Sequence, residues 1–386
     1  MPSDKSGTRK ASKKLRILMV APTLSGAAYM MPYIFAKILM RKYDVKIIGA
    51  AFGKKIFIED KSMDVENLEP NIKSPVQIGM MNTIPINMAR LMKNDFDIIH
   101  CFKLLPHTIP VCSLAKKILN KPLVLTIDDY DKASPENLIK RGILEISEKF
   151  YKSADEVIVP SKGLKNIYGG TVIYQPIDID KQKPKKSSAS RLRKKLGLQG
   201  KIVVTQVGTL YKTKGIDLLI EAVKRTGRDD IKLVLFEFGK ETEIYKKMSG
   251  SETIWVKKKT GEKSLDYTTM SDIYAIPTRD TRYTRVQTPA KIFEAMSMGR
   301  AIVASNISEI PKILDYGKAG ILTKPDDVES LKNAILKLAD DKSLRERLGS
   351  RARKVYNERY HYKKQGEILL DVYENLEKKI RRSRSK

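Results

Sequence analysis

The feature that most constrains this chain is a strand-then-helix alternation that runs through its first half, closes, and starts again. LRILMVAP, VKIIGAAF, FDIIHCF, PLVLTIDD and DEVIVPS are short runs of apolar and β-branched residues. Stretches with helical spacing separate them. Thr108–Leu119 is apolar along one face, and Ser134 is placed to cap a further helix with Pro135 at its first position. After YQPIDIDKQKP and the polar connection KPKKSSASRLRKK, the pattern restarts with KIVVTQVG and the helical GIDLLIEAVKR. IKLVLFEFG, TIWV, DIYAIP, RAIVAS and GILT follow as strands. Asp326 and Glu329 have capping-box spacing, and a last pair of helices runs from Ser343 to about Ile380. Continuous apolar strands alternating with helices imply parallel sheets covered on both faces. The expected class is α/β, with two Rossmann-like parallel-sheet domains facing a cleft and a C-terminal helical tail. The expected boundaries are a basic disordered tail 1–14, an N-terminal Rossmann-like domain 15–180 and a basic linker 181–197. A C-terminal Rossmann-like domain 198–345, helices 346–380 crossing back to the N-terminal domain, and a basic tail 381–386 complete the chain.

A length of 386 residues suits two such domains. With 74 Lys and Arg against 45 Asp and Glu, the net charge is +29. Met1–Arg16, Lys181–Lys195 and Glu377–Lys386 together hold +18 of it. Such a surface suits an anionic partner: a nucleotide phosphate, an acidic lipid face or nucleic acid. Nucleic acid is the weakest of these, because no binding motif for it appears and only one Trp and nine Phe are available to stack on bases. Two cysteines, Cys101 and Cys112, exclude a disulfide scaffold or a zinc ribbon and read as small buried thiols. No apolar run reaches the ~20 residues of a spanning helix. KKLRILMVAPTLSGAA has the outline of a signal peptide, but Pro22 and Gly26 interrupt it and a buried first strand accounts for ILMVA. The expected location is cytoplasmic, with any membrane contact peripheral.

Two stretches carry chemistry. In TPAKIFEAM, Thr288 is placed to cap, Pro289 fits the first helical position, and Ile292, Phe293 and Met296 give a buried face. A helix that starts after a parallel strand offers free N–H groups to a diphosphate, here from Ala290 and Lys291. Glu294, one turn in, can accept from ribose hydroxyls. The second stretch is GTLYKTKG. Gly208 permits close backbone approach and Lys214 can neutralise phosphate, although the order of a Walker loop is absent. His100 and His107 read as local structural residues, since no third metal ligand stands at a suitable spacing. Asp129-Tyr130-Asp131 and Asp178-Ile179-Asp180 match an Asp-x-Asp pattern by chance.

Gly-x-Leu-x-x-x-Lys-Gly, followed some eighty residues later by Pro-x-Lys-x-x-Glu-Ala-Met-x-x-Gly, resembles the donor half of family 4 glycosyltransferases. SADEVIVPSKGL and IYQPIDIDKQKP resemble that family's crossover, and AGILTKPDDVESL with LRERLGSRARK its C-terminal end. The resemblance covers nearly the whole chain after the basic tail. It implies the GT-B fold, a nucleotide-diphosphate sugar as donor bound by domain 198–345, no metal or other cofactor, and transfer with retention to a glycan or lipid-linked acceptor brought by domain 15–180. Lys214 is similar to the family's diphosphate lysine, and Glu294 to the second glutamate of its Glu-x7-Glu motif, which binds the donor ribose. Gly26 lies in the first-strand loop that approaches donor and acceptor. Three positions depart from the pattern. Val286 stands where the first glutamate falls, Thr209 where an arginine pairs with the lysine, and Asp128 where many members carry a histidine.

Arg279, Arg282 and Arg285 precede Thr288 and offer guanidinium forks in compensation. On this reading Arg285→Ala weakens nucleotide binding more than Arg225→Ala. Asp128, at a strand's carboxyl end, is the candidate catalytic residue, able to orient an acceptor hydroxyl or steady charge at the anomeric carbon. Two alternatives stay open: a sugar-nucleotide epimerase or phosphorylase of the same fold, and a basic nucleic-acid or membrane binder whose transferase site has decayed.

Overall fold

The computed structural model describes residues 14–52, 55–69, 76–130, 138–177, 186–257 and 264–384. Ser134, Pro135, Asp131, Asp178 and Asp180 lie outside the described residues, as does most of the tail 1–14. The first sheet is ordered β3-β2-β1-β4-β5-β6-β7. Its strands are β1 Arg16–Val20, β2 Asp44–Gly49, β3 Asp64–Asn67, β4 Ile98–Phe102, β5 Leu123–Thr126, β6 Glu156–Val159 and β7 Thr171–Val172. β1 pairs in parallel with β2 and with β4, Ile17 standing opposite Val45 and Ile98. The second sheet is ordered β10-β9-β8-β11-β12-β13. Its strands are β8 Ile202–Thr205, β9 Ile231–Phe236, β10 Thr253–Val256, β11 Ile273–Ile276, β12 Ala301–Ser305 and β13 Ile321–Thr323. β8 pairs in parallel with β9 and with β11. Both orders reverse beside their first strand, the arrangement of doubly wound α/β sheets.

The apolar runs are buried on both faces because successive side chains point to opposite sides of the sheet. Val203, Val234, Phe236, Ile302 and Ala304 join one hydrophobic cluster. Their neighbours Val204, Leu233, Leu235, Ala301 and Val303 join the other. Every expected strand is present. The sequence reading missed β3 and β7, short strands with no fully buried residue, and the helix Val76–Lys93 with Pro85 inside it.

By compactness the chain divides into residues 1–127, 137–157 and 369–386 as one unit, and 128–136 with 158–368 as the other. Three local expectations need correction. The segment 186–195 of the expected linker is a helix, Lys186–Lys195. Ala189 and Leu192 enter the second unit's core, and Arg193 donates to Met270 O at 2.7 Å and pairs with Asp272 at 2.5 Å. Its apolar positions were masked by the charge around them. The helix Val328–Asp340 is capped by Asp327, which accepts from Ser330 N at 2.9 Å; Asp326 instead pairs with Arg279 and Glu329 with Lys332. Thr288 is no cap either, because the helix there is Lys291–Ser297 and its flanking residue is Ala290.

In the first unit, Tyr373 of the last helix, Tyr362–Arg384, closes over His100. Its hydroxyl lies 2.7 Å from His100 Nδ1, and Thr126 Oγ1 lies 2.8 Å from Nε2. Burial holds the imidazole near pKa 3, so it is neutral and structural. His107, also buried, meets Pro22 O through Nε2 at 2.9 Å. Cys101 and Cys112 are buried free thiols. Among the described residues no helix is long and apolar enough to cross a membrane.

Candidate functional site

In a doubly wound sheet, ligands sit beyond the carboxyl ends of the two strands that flank the reversal. In the second unit those strands are β8 and β11, and the loops that follow them carry both motifs. The β8 loop passes Gln206 and Gly208, makes a tight turn at Lys212–Lys214, and enters the helix Ile216–Lys224 through Gly215 at φ 63°. A Cβ at Gly215 would collide with the Pro277 carbonyl just after β11, so glycine is required where the loops touch. Arg279 N donates to Thr213 O at 3.0 Å across the same seam.

This seam brings Gly208, Lys214, Lys291 and Glu294 together. A Cβ at Gly208 would stand 3.3 Å from Lys214 Nζ and 3.9 Å from Lys291 Cε, so both lysines flank the bare glycine backbone. Lys214 donates to Thr209 O at 2.7 Å, and its ammonium lies 5.4 Å from the centre of the Tyr211 ring. Burial, with the like charge of Lys291, lowers its pKa to about 8. Lys291 Nζ is 2.5 Å from Glu294 Oε1. Glu294 Oε2 is buried and has no partner among the described residues, and the same is true of Gln206 Oε1. Buried acceptors without donors are uncommon in folded proteins and point to a ligand's hydroxyl or amide. The Val207 amide donates to Tyr274 OH at 3.2 Å, and burial beside Glu294 pushes that phenol's pKa up.

The remaining candidates are placed differently. Ala290 leads into the helix, where Phe293 N donates to its carbonyl at 3.2 Å. Thr288 donates to Glu309 Oε2 at 3.2 Å. Arg285 is exposed and held by both oxygens of Asp280, at 2.5 and 2.9 Å, while Arg279 is taken by Asp217 and Asp326. Arg282 is exposed. The arginine trio is therefore not assembled beside Gly208: local aspartates compete for two of the guanidinium groups. Asp128 follows β5 and is half-buried; its neighbour Asp129 accepts from Tyr283 OH at 3.2 Å. Gly26 follows β1 at φ 70°, ψ −169°, a conformation open essentially to glycine alone, and is exposed.

Sequence reasoning missed Glu309, which is 8% exposed. Its carboxylate accepts from Lys162 N at 2.7 Å, Tyr174 OH at 2.8 Å and Thr288 Oγ1. It thereby fixes the loop before Lys291 to the segment that follows β6. Val286 lies in the same arrangement: its carbonyl accepts from Ser161 Oγ at 2.6 Å, and a Cβ at Gly163 would come within 2.5 Å of its Cα. No local pattern marks Glu309, whose partners are more than twenty residues away or lie in backbone. Gln206 was detectable only as a polar residue closing an apolar strand. Among the described residues no group of three His, Cys, Asp or Glu side chains is arranged to hold a metal ion.

Residues 188–355 match the model of the glycosyl transferases group 1, and residues 33–181 that of glycosyltransferase family 4. An uncharacterised glycosyltransferase of Methanocaldococcus jannaschii is 28% identical over 246 residues, covering 60% of this chain and 61% of its own length. Alpha-D-kanosaminyltransferase of Streptomyces kanamyceticus is 26% identical over 211 residues, 53% of each chain. The chain thus spans between half and two thirds of the length of these two relatives. The crystal structure of Anabaena HepE in complex with UDP and glucose superposes with a TM-score of 0.74 at 19% identity, covering 94% of this chain and 100% of that one, which is a likeness of fold. With two parallel sheets of the doubly wound kind, the motifs in order along them, and both family models matched, the chain is a divergent member of the GT-B glycosyltransferases of the family 4 type.

Proposed function

We propose that this glycosyltransferase takes its sugar from a nucleotide-diphosphate donor held at the β8–β11 seam. It transfers that sugar with retention of anomeric configuration to a glycan or lipid-linked acceptor, with no metal ion required. The observation that carries the donor reading is the convergence of Lys214 and Lys291 on the bare backbone of Gly208, beside a glutamate with one unpartnered oxygen. Two ammonium groups suit the two phosphates of a diphosphate, and Glu294 suits vicinal hydroxyls of a ribose. In this reading Lys291 replaces the arginine absent at Thr209. Its side chain rests on Glu294 and moves to phosphate as the ribose takes the carboxylate.

The chemistry asked of the site is stabilisation of negative charge on the departing phosphate, which the two ammonium groups supply from a partly desolvated loop once the donor has drawn Lys291 into place. The acceptor hydroxyl then attacks on the face the diphosphate leaves. Asp128 orients a hydroxyl or steadies positive charge at the anomeric carbon. Arg285 has no part in this reading.

A metal-free thermal-shift panel with UDP-, GDP- and ADP-sugars tests it, comparing wild type with Glu294→Ala. The expected result is a rise with one base that Glu294→Ala abolishes, because only a ligand bound to the native state raises the transition. A flat panel from folded protein would remove the donor reading. Product analysis with the donor so identified then reports the anomeric configuration, and Asp128→Asn is expected to lower turnover while leaving that thermal shift in place.

A further inference from the structure

The first unit exposes an apolar stripe on each of two neighbouring segments. On the helix Ile109–Leu119, Leu114 and Ile118 stand one turn apart, 50% and 54% exposed. Along the helix Leu138–Glu148 and the turn Lys149–Ser153 that continues it, Ile143, Ile146 and Phe150 follow at helical spacing, Ile146 being 61% exposed. The turn packs against the first helix, so the two stripes belong to one side of the unit. Leu144 and Ser147, between the exposed positions, are buried, which fixes the outward direction of the others. Single exposed apolar residues are ordinary, whereas five at two helical periods on adjacent segments form a patch.

Its rim is basic. Lys117, Lys121, Lys149 and Lys152 make no ion pair among the described residues. Two of the nearby acids are already neutralised: Arg141 holds Glu145 at 3.0 Å, and Lys116 holds Asp155 at 2.7 Å. Apolar side chains flanked by long cationic ones match the boundary between acyl chains and anionic headgroups. The apolar group enters the boundary while the lysine stems reach back to phosphate. A second copy of the chain would instead set these lysines against one another.

We propose that this face docks the protein on an anionic bilayer surface, with Ile118 and Ile146 entering the interface and the four lysines meeting lipid phosphates. The full chain would be co-sedimented with phosphatidylcholine vesicles with and without about a third phosphatidylglycerol, at low and physiological salt. The wild type is expected on the anionic vesicles only, more weakly as salt rises. Ile118→Glu with Ile146→Glu should lower partitioning at least about tenfold. Lys342→Gln with Lys354→Gln, which changes net charge equally in the second unit, should leave it within about twofold. Should the glutamates disturb folding, as judged by the thermal transition, Ile118→Ser with Ile146→Ser reports the same loss. Equal losses from the two charge-matched variants would overturn the proposal, because net charge alone would then explain binding. Wild type that ignores anionic vesicles would also overturn it, as would a wild-type dimer that the isoleucine variant converts to monomer. None of these outcomes depends on which nucleotide sugar is bound.

Discussion

The two sheets share a topology and differ in what they do with it. In each, the order reverses beside the first strand, between β1 and β4 in one and between β8 and β11 in the other. At the first reversal, two histidines are buried and held neutral. His107 is tied to the Pro22 carbonyl, and His100, inside β4, lies between Thr126 and Tyr373 with its pKa held near 3. At the second, Lys214, Lys291 and Glu294 are partly accessible and crowd one glycine. Topology provides a place for a ligand, and the side chains carried by the loops decide which ligand fits.

The comparison breaks most severely at Lys214. Lys214→Ala is expected to weaken binding of the matched nucleoside diphosphate by about a hundredfold, since a charge-assisted bond to phosphate is worth roughly 1.5–3 kcal/mol and a positive charge leaves with it. Calorimetric titration would read this. Lys291→Ala should cost about tenfold with the diphosphate and little with the bare nucleoside, with Lys291→Arg restoring most of it. Equal losses with both ligands would show that Lys291 only supports Glu294.

Affinity should also fall about tenfold between pH 7 and pH 9. Lys214 loses its proton near 8 in the free protein, whereas a bound diphosphate holds the proton on, so binding above that pH must take one up. Removing the like charge in Lys291→Ala moves the break to higher pH. Lys291 is the like charge that acts on Lys214, the Tyr211 ring lies against its ammonium, and Glu294, which holds Lys291, lies beside Tyr274.

At the first reversal the same kind of experiment should touch stability instead. Tyr373→Phe leaves a ring nitrogen of buried His100 without its partner, which costs about 2 kcal/mol and lowers the thermal transition by about 5 °C. Nucleotide affinity should not change. With a folded pKa near 3 against 6.5 for an ordinary imidazole, His100 binds fewer protons when folded, so its contribution is intact above pH 6.5 and lost as pH falls toward 3. Melting curves across that range would check the sign. The smallest effect is expected at Arg285 and Arg225. Each is exposed and paired with carboxylates, so alanine at either should leave affinity within about twofold. A marked loss at Arg285 alone would bring the arginine loop back into the donor site.

Much of this was legible in the residues. Buried parallel strands are continuous apolar runs, and eleven of the thirteen strands among the described residues were found on that signal; β3 and β7 lack it because they are short and carry no fully buried residue. Gly208, Lys214 and Glu294 were visible as motif residues, and the structure gathers them. Local rules failed where more than one partner was in reach. Thr288, Asp326 and Arg285 each have a side chain suited to the expected role, yet Glu309, Arg279 and Asp280 hold them elsewhere.

The sequence by itself determined the α/β class and the two successive sheets, because these rest on patterns within single strands, helices and loops, and it pointed to the family through the order and spacing of several motifs. Only the tertiary structure decided that Lys291 stands beside Lys214, that Glu309 fixes the loop ahead of it, and that His100 is sealed by Tyr373 from 273 residues away. These are contacts between elements far apart in the chain. Their outcome depends on which partner lies nearest and how much water remains, and periodicity along the sequence carries no record of either.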